Sequence, residues 1–390
     1  MKHASTRTSR DDRKLGPNAG LIGARNSRNA LATPALILDL DGFEHNLKAM
    51  AALCRQAHLN LRPHAKTHKC SQIAKLQVER GAVGVSVATL REAAVMIEAG
   101  VPGVLLTSPV VGSAKIDAFT GLVGKSKRLM AVVDNPENVK ALEASLKRSG
   151  KSLSVLVDVD IGMRRTGVTD VAGVLALARR VQSSDVLDFA GIQAYSGRVQ
   201  HITRAADRAR VYGRQLKHLE AVLAGLAKTG RPPGIVSGGG TGTFDIDRRA
   251  GLFTESQCGS YAFMDVEYEA VQLFARGAHP FKIALYVQCM VLSNNYRGSA
   301  TIDGGFKCFS MDGPIPQPAA GAPKGALYRF YGDEFGKITL ARKSGVLKLG
   351  AKIELITPHC DPTVNLHSYY HCVRGSVLRD IWPIDARGSL

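Results

Sequence analysis

Arg62-Pro-His-Ala-Lys-Thr-His-Lys69 follows a short apolar run and leads into a segment with helical spacing. Side chains alternate faces along a strand. If the strand that starts near Leu59 continues to Lys66, then Arg62, His64 and Lys66 share one face, and His68 joins them if it runs further. Burying a lysine and two histidines is costly unless they are paired or liganded. A polar strand face inside an α/β fold therefore reads as chemistry rather than packing. A lysine with a lowered pKa suits Schiff-base formation, because only the neutral amine attacks an aldehyde. A basic edge strand that binds an anion is the plainer alternative.

From residue 34 onward, short β-branched apolar runs alternate with helical patterns. Strands are expected at 35–40, 59–63, 84–88, 104–108, 129–134, 154–160, 190–195 and 234–237, with helices such as 41–58, 91–99 and 205–229 between them. Near-continuous apolar strands joined by helices indicate parallel strands buried on both sides. Some eight such units over about 230 residues fit an α/β fold of the (β/α)8 TIM-barrel type. A doubly wound sheet is the alternative. After about residue 263, the strand-like runs 283–292, 325–331, 346–356 and 377–382 lack long helical partners. They read as a C-terminal all-β domain. The expected division is a disordered basic extension (1–32), a barrel (33–265) and a β domain (266–390).

Composition narrows the function classes. The chain has 390 residues, 45% of them hydrophobic, and a formal charge of +18. No apolar run approaches the roughly 18 residues of a membrane span, so no membrane partner is expected. The first 28 residues lack an apolar core of the secretory-signal kind. The seven cysteines form no CxxC pair, which points to a reducing compartment and a cytoplasmic protein. The positive charge is spread along the chain, and no zinc-finger or RRM pattern occurs. Nucleic acid is therefore not the expected partner. The charge suits attraction of an anionic substrate and cofactor.

Barrel active sites collect at the C-terminal ends of strands, and further polar clusters fall there. Val157-Asp-Val-Asp-Ile-Gly-Met-Arg-Arg-Thr-Gly167 ends a strand in a glycine turn carrying Arg164 and Arg165. An arginine there binds a phenolate oxygen or holds another side chain; the plainer alternative is a capped turn with solvated arginines. Gln193-Ala-Tyr-Ser-Gly-Arg-Val-Gln-His201 places Tyr195 at a strand end and His201 after a turn. A tyrosine can hydrogen-bond a ring nitrogen, and a histidine is a suitable general base. Both residue types also serve structure. Ser237-Gly-Gly-Gly-Thr-Gly-Thr243 follows an apolar strand and lets backbone N–H groups approach an anion. It matches neither the Walker nor the GxGxxG pattern, so a phosphorylated cofactor is the better fit, with Gly259-Ser-Tyr261 completing the cradle. In Pro358-His-Cys-Asp-Pro362, His359 and Asp361 share a side if the chain is extended, while Cys360 faces away. Imidazole plus carboxylate suits Mn²⁺ or Mg²⁺. The alternatives are a hydrogen-bonded turn, or a Cys360 ligand that favours Zn²⁺.

At these residues the chain resembles the fold-type III pyridoxal-phosphate enzymes of the alanine-racemase-like barrel class. Within them it resembles the branch holding metal-activated D-threonine aldolase, D-3-hydroxyaspartate aldolase and eukaryotic-type D-serine dehydratase. The likeness runs from Thr33 to Gly388, with the motifs in the family's order. It implies pyridoxal 5'-phosphate joined to Lys66, with His64 beside it, Arg165 near the cofactor hydroxyl and Tyr195 near the pyridine nitrogen. It implies Ser237, Gly239, Gly240, Thr241 and Tyr261 around the phosphate. His359 and Asp361 would hold a divalent metal (Mn²⁺ or Mg²⁺, with Co²⁺ and Zn²⁺ as alternatives), with His201 beside it as base. Asp303 would stand at the mouth of the site, and the assembly would be a homodimer.

The resemblance implies a β-hydroxy-D-amino acid substrate and leaves two reactions: aldol cleavage to glycine and an aldehyde, or dehydration. The resembled dehydratases carry His-x-Cys, whereas this chain has His359-Cys-Asp361. The aldolase is therefore expected, with D-serine or D-3-hydroxyaspartate dehydration as the alternative. Phe335 replaces a histidine usual in relatives, and Ser196 replaces one found in some aldolases. Arg198 stands beside the expected base. These departures bear on the substrate side chain.

Overall fold

The computed structural model describes residues 15–342 and 345–388. In chain order, the first nine strands are β1 (Ala35–Asp39), β2 (Asn60–Leu61), β3 (Ser86–Val87), β4 (Leu105–Leu106), β5 (Met130–Val133), β6 (Leu153–Val159), β7 (Leu187–Ala194), β8 (Ile235–Gly238) and β9 (Glu255–Ser256). They are followed by β10 (Leu285–Ser293), β11 (Ser299–Ile302), β12 (Gln317–Ala320), β13 (Leu327–Phe330), β14 (Gly336–Thr339), β15 (Lys352–Ile356), β16 (Tyr369–Arg374) and β17 (Val377–Pro383). Two compact units result. One comprises the chain up to Glu44 with Lys282–Ile384; the other comprises His45–Phe281 with residues from Asp385 onward.

The second of these units is the barrel. Eight strands pair in the order β2-β9-β8-β7-β6-β5-β4-β3. All neighbours are parallel, and a parallel bridge between His64 and Ser86 joins the two edges, closing the ring. Leu105, Met130, Val132 and Leu156 pack together in its core. Local signals set the connecting helices. Before Pro136–Ser149, the Asn135 side chain accepts from Glu137 N, Pro136 occupies the first turn and Gly150 ends the helix at φ 63°.

One glycine is required by a close approach. Gly191 on β7 has φ +155°, and a Cβ there would lie 1.9 Å from the Ile235 carbonyl of β8. Gly191→Ala is expected to cost about 3 kcal/mol from strain and overpacking together. Urea unfolding of both proteins checks this.

The other unit is built on a nine-stranded sheet, with β13-β14-β11-β10-β1-β16-β17 as its main path and β15 and β12 branching from β10. Strand β1 pairs antiparallel to β10 and parallel to β16. This differs from the expectation that residues 35–40 open the barrel. The run Ala-Leu-Ile-Leu is buried on both faces, so its pattern matches a barrel strand although its neighbours lie in the β unit. The eighth barrel strand is instead β9. The change of unit falls at 281/282 rather than 265/266.

Residues 15–32, expected within a disordered extension, are ordered. Leu15 and Leu31 join a core with Ile37, Val373, Leu378 and Ile381. Arg28 Nε and Nη2 each donate to Glu354 at 2.7 Å. The remainder of that extension, 1–14, lies outside the described residues. No helix among the described residues is long and apolar enough to cross a membrane.

Candidate functional site

In the barrel unit, the polar motifs stand at the C-terminal ends of the strands. After β2 the chain does not stay extended to Lys66. It makes the His64 bridge and then a 3-10 turn, Ala65–Thr67. The three residues expected to share a strand face therefore diverge. Arg62 is buried in an ion pair with Glu255 of β9, which makes it a packing device after all. His64 Nε2 lies 3.1 Å from Thr107 Oγ1, beyond β4. His64 Nδ1 accepts from the backbone N of Lys66, so the histidine caps the turn that carries the half-buried lysine. His68 is buried, and its Nδ1 accepts from Cys70 N at 3.1 Å.

The turn after β9 abuts the lysine turn. A Cβ on Gly259 would meet Thr67 Oγ1 at 2.4 Å and the His64 carbonyl at 3.0 Å. Two residues on, Tyr261 N donates to Thr241 Oγ1 at 3.1 Å, tying this turn to the glycine loop after β8. The Tyr261 hydroxyl accepts from Gln77 at 3.3 Å, so the backbone makes the link.

The glycine loop is braced from behind. Gly239 has φ +68°, and a Cβ there would lie 2.3 Å from Asp247 Oδ2. Gly240 N donates to Thr243 Oγ1 at 3.0 Å, and Thr243 donates onward to Asp247 at 2.7 Å. Gly242 N donates to Gln200 Oε1 at 3.0 Å. Ser237 is fully buried in the floor of the barrel mouth, where its hydroxyl accepts from Gln257 at 2.9 Å. Gln257 also donates to Gln193, which donates to Asp158 at 3.0 Å. Burial pushes the Asp158 carboxyl up, against the hydrogen bonds from Gln193 and Thr166.

Burial pushes the Asp247 carboxyl up to about 7, with hydrogen bonds from Thr243 and Tyr212 opposing the rise. A carboxyl with a folded pKa above its unfolded value keeps a proton that the unfolded chain has lost. Stability then falls as pH rises from about 4, where an ordinary Asp titrates, to the folded value. Asp247→Asn is expected to flatten this slope and to raise the melting temperature relative to wild type at pH 8. Thermal melts between pH 4 and 8 check it.

After β6, Asp160 accepts from the backbone N of Gly162, Met163 and Arg164 at 2.8, 2.7 and 3.0 Å. These bonds hold its carboxyl below the usual range despite the cost of partial burial. They also fix a turn in which Arg164 takes φ +56°. The next residue, Arg165, sets its guanidinium 5.6 Å over the Tyr195 ring. Beyond β7, His201 Nδ1 lies 3.2 Å from Glu267 Oε1, and its ring is 4.8 Å from Tyr268. Glu267, which sequence reasoning missed, precedes Tyr268 in the short helix Val266–Glu269.

In the β unit, residues 358–362 are not extended. His359 is the N-cap of the helix Cys360–Leu366, and Asp361 lies in its first turn. Thr363 Oγ1 donates to the His359 carbonyl at 2.7 Å. Cys360 is buried. His359 Nδ1 lies 2.9 Å from Asp312 Oδ2, a partner 47 positions away that no local pattern signals. Asp303 is engaged within this unit, accepting from Thr33 Oγ1 at 2.5 Å and Met290 N at 2.6 Å. Among the described residues, no cluster of three or more His, Cys, Asp or Glu is arranged to hold a metal.

Comparison with known proteins gives a consistent picture. The family described as "Alanine racemase, N-terminal domain" matches residues 38–267, and the "Putative serine dehydratase domain" matches 284–373. A D-threonine aldolase from an Arthrobacter species is 38% identical over 91% of this chain and 93% of its own. A 3-hydroxy-D-aspartate aldolase from Paracoccus denitrificans is 34% identical over 92% of this chain and 93% of its own. The crystal structure of D-threonine aldolase from Filomicrobium marinum superposes with a TM-score of 0.88 at 36% identity, covering 92% of this chain and 96% of that one. The barrel, the β unit and these likenesses together establish that the chain belongs to the alanine racemase N-terminal domain family, alongside the D-threonine and 3-hydroxy-D-aspartate aldolases.

Proposed function

We propose that this protein is a pyridoxal phosphate-dependent, metal-dependent lyase that cleaves a D-threonine-like β-hydroxy-D-amino acid to glycine and an aldehyde. The observation that carries the cofactor reading is the contiguity of the Lys66 turn, the Gly259–Tyr261 turn and the glycine loop. Gly259 packs against Thr67, and Tyr261 N reaches Thr241. An amine, a glycine-rich loop and hydroxyl donors at neighbouring strand ends fit a phosphorylated aldehyde. Lys66 would hold the aldehyde carbon, and Ser237, Gly239, Gly240, Thr241 and Tyr261 would surround the phosphate. Arg165 and Tyr195 would flank the ring, with His64 capping the lysine turn. When bound, this cofactor acts as an electron sink for carbanions formed next to the amine.

The protein's own groups then divide the work. His359 and Asp361 would hold Mn²⁺ or a similar ion, whose charge makes a β-hydroxyl more acidic. His201 removes the hydroxyl proton. Glu267 Oε1 lies 3.2 Å from Nδ1 of the same ring, and a histidine is a suitable general base. Loss of that proton drives cleavage of the Cα–Cβ bond, and a proton returned to Cα gives glycine. Asp361, where the resembled dehydratases have cysteine, supports aldol cleavage over dehydration.

A homodimer belongs to the same reading. It is supported by exposed apolar side chains on the β unit: Met311 at 65%, Ile315 at 54%, Tyr331 at 56% and Phe335 at 45%. A reducing cytoplasm is supported by the seven cysteines, which are all buried. The function is tested by supplying D- and L-threonine to the protein with pyridoxal phosphate and Mn²⁺. Equal glycine and acetaldehyde from the D isomer alone is expected; turnover of the L isomer alone would contradict the reading.

A further inference from the structure

We infer that Asp312 is a positioning residue for the metal site, orienting His359 for coordination. The inference rests on the reading of His359 and Asp361 as ligands. Asp312 lies on the loop after β11, and its Oδ2 is 2.9 Å from His359 Nδ1. An ionised carboxylate only accepts hydrogen bonds, so this contact requires the proton on Nδ1. The lone pair is thereby placed on Nε2, the nitrogen a metal would use. Histidines that ligate metals commonly donate their other N–H to a carboxylate, which fixes the ring and strengthens the ligand.

Two further contacts hold the pair in place. Ser310 Oγ donates to the His359 carbonyl at 3.1 Å, joining the Asp312 loop to the backbone of the ligand. Ser310 N donates to Thr363 Oγ1 at 3.1 Å, one turn into the helix that His359 caps. A Cβ on Gly313 would come within 3.3 Å of His359 Cβ, so the loop lies directly against the histidine. With only two side-chain ligands, affinity depends strongly on how well each is oriented. A residue outside the coordination sphere is therefore expected to change that affinity measurably.

The test is equilibrium binding of Mn²⁺ to the full-length protein, read from the electron paramagnetic resonance signal of free Mn²⁺. Wild type, His359→Ala, Asp312→Ala and Asp312→Asn are compared, with circular dichroism confirming the fold of each. Asp312→Ala is expected to bind about 10–100-fold more weakly than wild type. Asp312→Asn, which still offers an acceptor oxygen, should fall between them, and His359→Ala should lose binding. If wild type and His359→Ala bind alike, the ligand reading itself fails. If His359→Ala loses binding but Asp312→Ala matches wild type, only the role of Asp312 is overturned. If Asp312→Ala is as defective as His359→Ala, Asp312 is a direct ligand and the positioning role is likewise overturned.

Discussion

Lys66→Ala is expected to leave the barrel folded and to abolish covalent capture of pyridoxal phosphate. Lys66 sits half-buried in the 3-10 turn that His64 caps. That turn is positioned by backbone contacts, including His68 N to Ala65 O at 3.1 Å and Lys69 N to Ala65 O at 2.7 Å. An alanine at 66 keeps them. The wild type treated with cofactor and borohydride should carry the cofactor on the Lys66 peptide by mass spectrometry; the variant should carry none. D-threonine cleavage should fall by about 10²–10⁴-fold or more, the range for loss of a single proton-transfer group alone. Labelling of another lysine with activity retained would remove Lys66 from its proposed role.

The second large effect concerns stability. Arg62 Nε and Nη2 donate to the two Glu255 oxygens at 2.7 and 2.9 Å, and Nη1 donates to the Gly103 carbonyl. The two side chains are 5% and 3% exposed. This fork joins β2 to β9, two neighbours of only two residues each, so side chains supplement a very short backbone ladder. Arg62→Met leaves a buried carboxylate without its partner and is expected to cost about 3–5 kcal/mol. Replacing both residues, with Arg62→Met and Glu255→Leu, should recover most of that loss, because the desolvation of both charges is then removed. Urea unfolding of the three proteins checks both statements. A loss under about 1 kcal/mol for the single variant would show that the pair is not the strut described.

Arg62 also shows where sequence reading succeeds and where it stops. Alternation along a strand is a local rule. It identified a polar strand end correctly, but the chain turns after Pro63, so Arg62 and Lys66 serve different ends. Strand β9 is implied by the Gly259 turn, which reads as a strand end, but its bounds are not legible because it is short and carries Glu255 and Ser256 rather than an apolar run. Strand β1 was recognised as a strand yet assigned to the wrong unit, since its apolar pattern is the same beside β10 as inside a barrel. The glycine loop, the Asp160 turn and Tyr195 were legible because each follows an apolar strand within a few residues. Glu267 and Asp312 were not, because their partners, His201 and His359, are remote in sequence. Only the fold brings those pairs together.

Aldol cleavage breaks the bond between Cα and Cβ, whereas dehydration breaks the bond between Cβ and the hydroxyl oxygen. The most direct measurement is the nitrogen balance of D-threonine turnover by the protein with pyridoxal phosphate and Mn²⁺, with and without EDTA. Aldol cleavage keeps the nitrogen in glycine and releases acetaldehyde in equal amount, without ammonia. That result is expected, as is its loss on chelation. Release of ammonia with 2-oxobutanoate, and no glycine, would contradict it and establish dehydration instead.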